Sequence, residues 1–196
     1  MLYKIAAQRS DWLIFCKRVS MKKLATILVL FFCIITAHAQ LAPWGVAFRV
    51  DAAVTLRVPG KPQPVDISRF EPTLPAQQAR GYRYTDAAGI YLLMRLEKPM
   101  DKLYANDSDH AFYSQQIDDM LRAMKGTLLE EAILMNGPYQ AACARYTTLG
   151  KGTQYMGVML LHHVSYQFQY MPSKPLTKEQ DATLWAQFQQ SIVSLK

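Results

Sequence analysis

Residues 21–40 contain the three parts of a secretory signal peptide, and this limits what the rest of the chain can fold into. Met21-Lys22-Lys23 is a positive start. Leu24 to Thr36 is an uncharged, predominantly apolar run. Ala37-His38-Ala39 is a small-x-small cleavage signal, so the expected mature N-terminus is Gln40. A membrane-spanning helix needs ~20 apolar residues, and this run has thirteen. Retention as an N-terminal anchor is the competing expectation. A lipoprotein would use Cys33, but Phe32 stands where a small residue is required. Residues 1–20 carry Trp12, Leu13, Ile14 and Phe15 beside Lys17 and Arg18. They read as a mis-assigned start, with translation beginning at Met21, or as an extended n-region. The expected organisation is therefore 1–20, then a signal peptide over 21–39, then a single α+β domain over 40–196.

Removing residues 1–39 changes the composition. The full chain carries 22 Lys and Arg against 15 Asp and Glu, a net charge of +7. The leader holds six of those cations and one of the anions, which leaves 157 residues at +2. Most of the excess basicity belongs to the leader, so the mature part gives no reason to expect nucleic acid, which asks for a basic patch. Of the three cysteines only Cys143 lies beyond residue 39. An exported domain with one cysteine has no internal disulfide and no cysteine metal site. It must be held by its hydrophobic core, and 157 residues suffice to bury ~70% of the unfolded surface.

The patterning predicts a sheet-rich domain. Trp44–Val50 and Ala53–Val58 read as strands, the second alternating Val54, Leu56 and Val58 with Thr55 and Arg57. Prolines 59, 62, 64, 72 and 75 predict an ordered, extended connection over 59–79, anchored by Val65, Ile67, Phe70 and Leu74. Tyr82–Thr85 and Ile90–Glu97 are strands around an Asp86…Gly89 turn, and 98–107 is a loop. Asp107, Ser108 and Asp109 are N-cap types before a helix over about 110–125, which Gly126 closes. Thr127–Met135, Tyr139–Thr147, Gln154–Leu161 and Ser165–Met171 are strands separated by Asn136-Gly137, Leu149–Gly152 and His162-His163. Thr177-Lys178-Glu179-Gln180 is a capping box. It opens a helix to about Ser194, with Trp185, Phe188, Ile192 and Leu195 as its buried stripe. Strands 90–96 and 154–161 are apolar on both faces and need cover on both. Tyr166, Phe168 and Tyr170 alternate with Ser165, Gln167 and Gln169, which places that strand nearer an edge.

The order of these elements resembles the PsbP-like superfamily. The resemblance rests on Val58-Pro59-Gly60-Lys61-Pro62, the strand Tyr91-Leu92-Leu93-Met94, and the turn Asn136-Gly137-Pro138-Tyr139 after a central helix. A Gly-turn hairpin with aromatic strands and a terminal helix ending Phe188-x-x-Ser191-Ile192 complete it. It covers most of residues 44–195. That group includes the photosystem II extrinsic subunit, a Ran-binding nuclear transport factor and many small exported bacterial proteins. The resemblance implies a mainly antiparallel sheet covered by helices on both faces, and protein-binding or accessory roles. It implies no shared catalytic residue.

Cys143 would be a nucleophile only with a base such as His110, His162 or His163. Arg145, two residues on, shares its strand face and could lower its pKa. A buried structural thiol is the stronger expectation, because small residues surround it in a strand. His162 and His163 are adjacent in an extended chain and point to opposite faces, so they do not share one metal ion, with or without His110, Asp107 and Asp109. Asp107 and Asp109 read as caps. Asp118-Asp119 and Glu130-Glu131 read as solvated pairs. Gly150-Lys151-Gly152 lacks the phosphate-loop pattern and precedes a strand. Asn106-Asp107-Ser108 matches a glycosylation acceptor by pattern alone. The tyrosines are the remaining hint of an interface, although tyrosine is also favoured in strands.

These readings assign no catalytic, cofactor or metal residue. They predict an exported, periplasmic or secreted monomer that binds a protein or cell-envelope component. Membrane contact is expected only if the signal is retained. The rival is a hydrolase using Cys143 with a nearby histidine.

Overall fold

Period-two alternation of apolar side chains builds most of this molecule, because a strand buries alternate residues on opposite faces. The computed structural model describes residues 43–68, 75, 78–97, 109–136, 139–161 and 164–195, all within one unit spanning Leu41–Lys196. The strands are β1 (Val46–Arg49), β2 (Val54–Val58), β3 (Gln63–Val65), β4 (Ala79–Thr85) and β5 (Gly89–Glu97). Helix α1 (Asp109–Met124) follows, then β6 (Gly126–Asn136), β7 (Tyr139–Thr148), β8 (Thr153–Leu161) and β9 (Val164–Pro172). Helix α2 (Lys178–Gln189) and β10 (Ile192–Leu195) complete the chain. Seven strands form one antiparallel sheet in the order β3-β4-β5-β9-β8-β7-β6, and three form a small sheet in the order β1-β2-β10. The fold is α+β and mainly antiparallel, as the sequence predicts.

The two faces of the large sheet are covered differently. The first, here the aromatic face, carries Tyr91, Leu93, Tyr155, Met159, Tyr166, Phe168 and Tyr170, all buried. Helix α2 and the small sheet close over it through Trp44, Val54, Leu56, Val58, Leu184, Trp185 and Phe188. Phe188 is the hub, with ring centroids 5.8 Å from Trp44, 5.8 Å from Tyr155 and 5.2 Å from Phe168. At Gly157 the sheet needs a missing side chain: a Cβ there would lie 2.3 Å from the ring of Phe168, its cross-strand partner. The second face is packed by Tyr113, Ile117 and Leu121 of α1 against Ala142, Ala144, Tyr146, Met156 and Val158.

Local chemistry sets the turns and caps. Asp86 Oδ1 accepts the backbone N–H groups of Ala88 and Gly89, which closes the β4–β5 turn. Gly150 has φ 75°, the left-handed conformation that glycine adopts freely. Thr177 Oγ1 accepts the Gln180 N–H, and Gln180 Oε1 accepts the Thr177 N–H, so the capping box is present in both directions.

Several expectations need correction. Helix α2 stops at Gln189, so Ile192 belongs to a strand and not to the helical stripe. The β-branched pair Ile192-Val193 suits a strand, and β2 offers an edge on which it pairs, Ile192 opposite Leu56. Helix α1 turns into β6 at Lys125, whose φ is 53°, rather than at Gly126. Gly126 is the first residue of β6. The proline-rich connection contains β3, in which Pro64 lies on the sheet edge where no N–H is needed. Strand β9 is central, between β5 and β8, not near an edge. The expected anchors Phe70 and Leu74, the caps Asp107 and Ser108, and the 98–107 loop lie outside the described residues.

Candidate functional site

Cys143 sits in the middle of β7 and is 0% exposed. It faces the aromatic core beside Ala141. Burial pushes its thiol well above the ordinary range, because a thiolate there would be stripped of water. Its titratable neighbour is Tyr91, whose hydroxyl is raised by burial first and by the Cys143 charge second. The side chain of His110, and both His162 and His163, lie outside the described residues. Arg145 shares the face of Cys143, but its guanidinium is committed elsewhere.

That commitment forms the first polar cluster. Arg145 Nη1 donates to Asp181 Oδ2 at 2.7 Å, and Nη2 pairs with Glu130 Oε2 at 2.9 Å. Trp185 Nε1 donates to Glu130 Oε1 at 2.9 Å, and the Tyr155 hydroxyl donates to Asp181 Oδ1. Burial, and then the Asp181 carboxylate that holds its proton, push the Tyr155 phenol far up. The cluster ties α2 to β6, β7 and β8. Glu130 is exposed, as a solvated pair would be, but both glutamates also hold partners: Glu130 takes Arg145 and Trp185, and Glu131 accepts the Ser114 hydroxyl of α1 at 2.9 Å. The sequence signal for this cluster was Arg145 itself. A cation in a strand of small, buried residues needs counter-charges from elsewhere in the fold.

The second cluster ties the β1–β2 hairpin to the large sheet. Asp51 Oδ2 accepts Arg95 Nε at 2.8 Å and the Tyr166 hydroxyl at 2.6 Å. Its Oδ1 accepts the N–H groups of Ala53 and Val54 at 2.8 and 3.0 Å. Burial pushes the Asp51 carboxyl up, but the four hydrogen bonds outweigh it and hold the group below its ordinary value. Arg95 also reaches Glu97 Oε2 at 3.2 Å. In both clusters the charges are paired within the fold, although Arg145 Nε itself is buried without a described hydrogen-bond partner. Among the described residues no group of three or more His, Cys, Asp and Glu could hold a metal ion.

A concave feature lies on the α1 face. Helix α1 covers β6, β7 and β8, and a groove of about 560 Å³ runs beside it over β9, β5 and β4. Its floor is Ile90, Leu92 and Met94 of β5 with Gln167, Gln169 and Met171 of β9. Met120, Ala123 and Met124 of α1 form one wall, and Val65 and Ile67 the other. Arg83 and Asp66 stand exposed at its margin. Gln169 Nε2 lies 3.5 Å from Met124 Sδ, the helix-to-floor contact that limits the groove on one side. This explains the polar alternation of Ser165, Gln167 and Gln169: it marks the half of a central strand that the helix leaves open. The volume falls within the range of ligand pockets, ~300–1,000 Å³. Its four methionines give an adaptable apolar surface.

No protein-family model matches the chain, and no curated protein matches it. Several solved structures are similar. The solution structure of cyanobacterial PsbP from Synechocystis sp. PCC 6803 superposes with a TM-score of 0.50 at 12% identity, covering 79% of this chain and 97% of that one. The Saccharomyces cerevisiae Ran-binding protein Mog1p gives 0.42 at 12% identity, covering 74% and 85%. At this identity the likeness concerns architecture alone: the chain has a PsbP-like α+β fold.

Proposed function

We propose that this is an exported, non-enzymatic domain of the periplasm or the extracellular space that binds a protein or a cell-envelope component. The observation that carries the reading is the methionine-lined groove on the α1 face, an apolar concavity of about 560 Å³ beside a helix that covers only part of the sheet. The leader over residues 21–39 supports export. The surroundings of Cys143 support a structural thiol: it is buried, with its pKa raised, whereas a nucleophile needs partial exposure and a lowered pKa.

The test is site-specific photo-crosslinking in the native envelope, from Met94 and Met171 in the groove and from Arg57 on the opposite side. A discrete adduct from the groove positions, lost when Leu92 is changed to Arg and kept in Cys143→Ser, is the expected result. Equal adducts from all three positions, or none from the groove, would sink the reading. So would rapid, stoichiometric labelling of Cys143 in the folded protein at neutral pH. Mass spectrometry of the exported chain tests the leader separately: an N-terminus at Gln40 or its pyroglutamate form is expected, and a chain retaining residues 21–39 favours the anchor.

A further inference from the structure

Seven methionines lie among the described residues, and four of them line the groove: Met94, Met120, Met124 and Met171. All four are half-buried, whereas Met156 and Met159 are buried in the two cores and Met135 is exposed. The strand register separates the two on the floor. Met94 lies opposite Gln167 and Met171 opposite Ile90, so they stand four residues apart along the sheet, ~13 Å at the rise of a strand. Helix α1 sets the other two. The Tyr113 hydroxyl accepts the Leu160 N–H, and Met124 Sδ accepts the Tyr146 hydroxyl at 3.7 Å. Leu160 pairs with Ser165 and Met156 with Gln169, so the helix runs along β9 from its Ser165 end towards Gln169. Gln169 Nε2 lies 3.5 Å from the same sulfur, which places the last turn of α1 at Gln169, two residues from Met171 on one strand face. Met120 is one turn back on the same helix face, ~6 Å away.

We propose that this end of the groove binds a soft monovalent metal ion, Cu(I), through the thioether sulfurs of Met124 and Met171, with Met120 as the third donor. A thioether is a neutral, polarizable ligand, and such ligands select Cu(I) over hard ions. The lining holds no histidine, cysteine or glutamate, and its one carboxylate, Asp66, accepts the Ser68 N–H. It therefore has little to offer Mg²⁺, Ca²⁺ or Zn²⁺, which ask for oxygen, nitrogen or thiolate donors. The Met124 sulfur already acts as an acceptor. Gln169 and Tyr146 both reach it from the sheet, so its lone pairs are turned towards the floor. The ion takes the place of the Gln169 hydrogen bond and frees that amide. A thioether carries no proton, so binding releases none and does not depend on pH, unlike capture by cysteine or histidine. The site goes beyond the docking of a protein or envelope component in the same groove, and either can hold without the other. The sequence reading assigns no metal residue, because the donors stand on α1 and β9 and no local spacing links them.

The experiment is an anaerobic titration of Cu(I) into the full chain carrying Cys143→Ser, in competition with a chromophoric Cu(I) chelator, at pH ~7 and pH ~5. A single equivalent bound equally at both is the expected result, since histidine is protonated at the lower pH and a thioether is not. Ag(I), a redox-inert probe of the same donor preference, should shift the methyl NMR signals of Met120, Met124 and Met171 and leave that of Met135 in place. Met124→Leu and Met171→Leu keep the apolar volume of the groove. Each should weaken Cu(I) binding at least about tenfold, or ~1.4 kcal/mol. Absence of stoichiometric binding overturns the proposal, and so does binding that is lost at the lower pH or unchanged in both leucine variants. Methyl shifts confined to Met135, or spread evenly over all the methionines, also overturn it, and that measurement needs no variant to fold.

Discussion

The aromatic face and the α1 face of the same sheet carry similar apolar strands and end in different states. On the aromatic face, α2 and a three-stranded sheet meet seven large side chains and leave them buried. On the other face, a single sixteen-residue helix covers three strands and leaves a groove over the next three. The residue types follow the cover. Rings interlock where two layers close, and methionine, glutamine and isoleucine line the part that one helix does not reach. Burial on both sides of a strand is thus a property of each half-strand, decided by what lies above it. β9 shows this within a single element, with Tyr166, Phe168 and Tyr170 buried and Gln167 and Gln169 half-exposed.

If the aromatic face is the stability centre, truncation there should cost most. Phe188→Ala removes the hub ring and should destabilise by ~3–5 kcal/mol, measured by urea unfolding. A loss no larger than that of a groove residue would break the contrast. Asp51→Ala should cost ~2–3 kcal/mol, because it strands the Tyr166 hydroxyl, Arg95 and two amides. The Asp51 carboxyl is held below its unfolded value of about 3.8. Its contribution is therefore complete above that pH and fades as pH falls through the lower folded value. The difference between parent and variant should shrink on acidification below pH ~4; a difference that stayed constant would remove the carboxylate from the argument. Gly157→Ala should cost ~1–3 kcal/mol by forcing a Cβ into the Phe168 ring, read as a lowered melting temperature. Leu92→Ala, on the groove floor, should cost only ~1 kcal/mol, since the half-exposed side chain loses little burial. If it costs as much as Phe188→Ala, the groove is not open in solution.

Legibility in the sequence followed how local each signal is. The strands β2, β5, β8 and β9, the capping box at Thr177 and the turn at Asp86 could be read because alternation and turn chemistry act within a few residues. Strand β10 could not. Ile192 continues the i, i+3, i+4 spacing of Trp185 and Phe188, and what converts it to a strand is β2, more than 130 positions away in the chain. The position of β9 was misread for a related reason, since a wet face can mean a sheet edge or a helix that stops short. At the candidate site, Cys143 was readable as buried from its small neighbours. The partners of Arg145 come from β6 and α2, and no spacing rule links them. The groove is invisible in sequence because it is defined by where α1 does not reach.

The pairing of β10 with β2 also sets a schedule. The small sheet joins β2, one of the first described strands, to β10, Ile192–Leu195, the last described element. The edge of β2 that receives β10 stays vacant until the segment 192–195 has been made and is free to fold back, and contacts this distant in sequence form slowly even then. The aromatic core therefore closes late. If residues 21–39 direct export, that delay is the interval in which the polypeptide can still be threaded through a membrane pore.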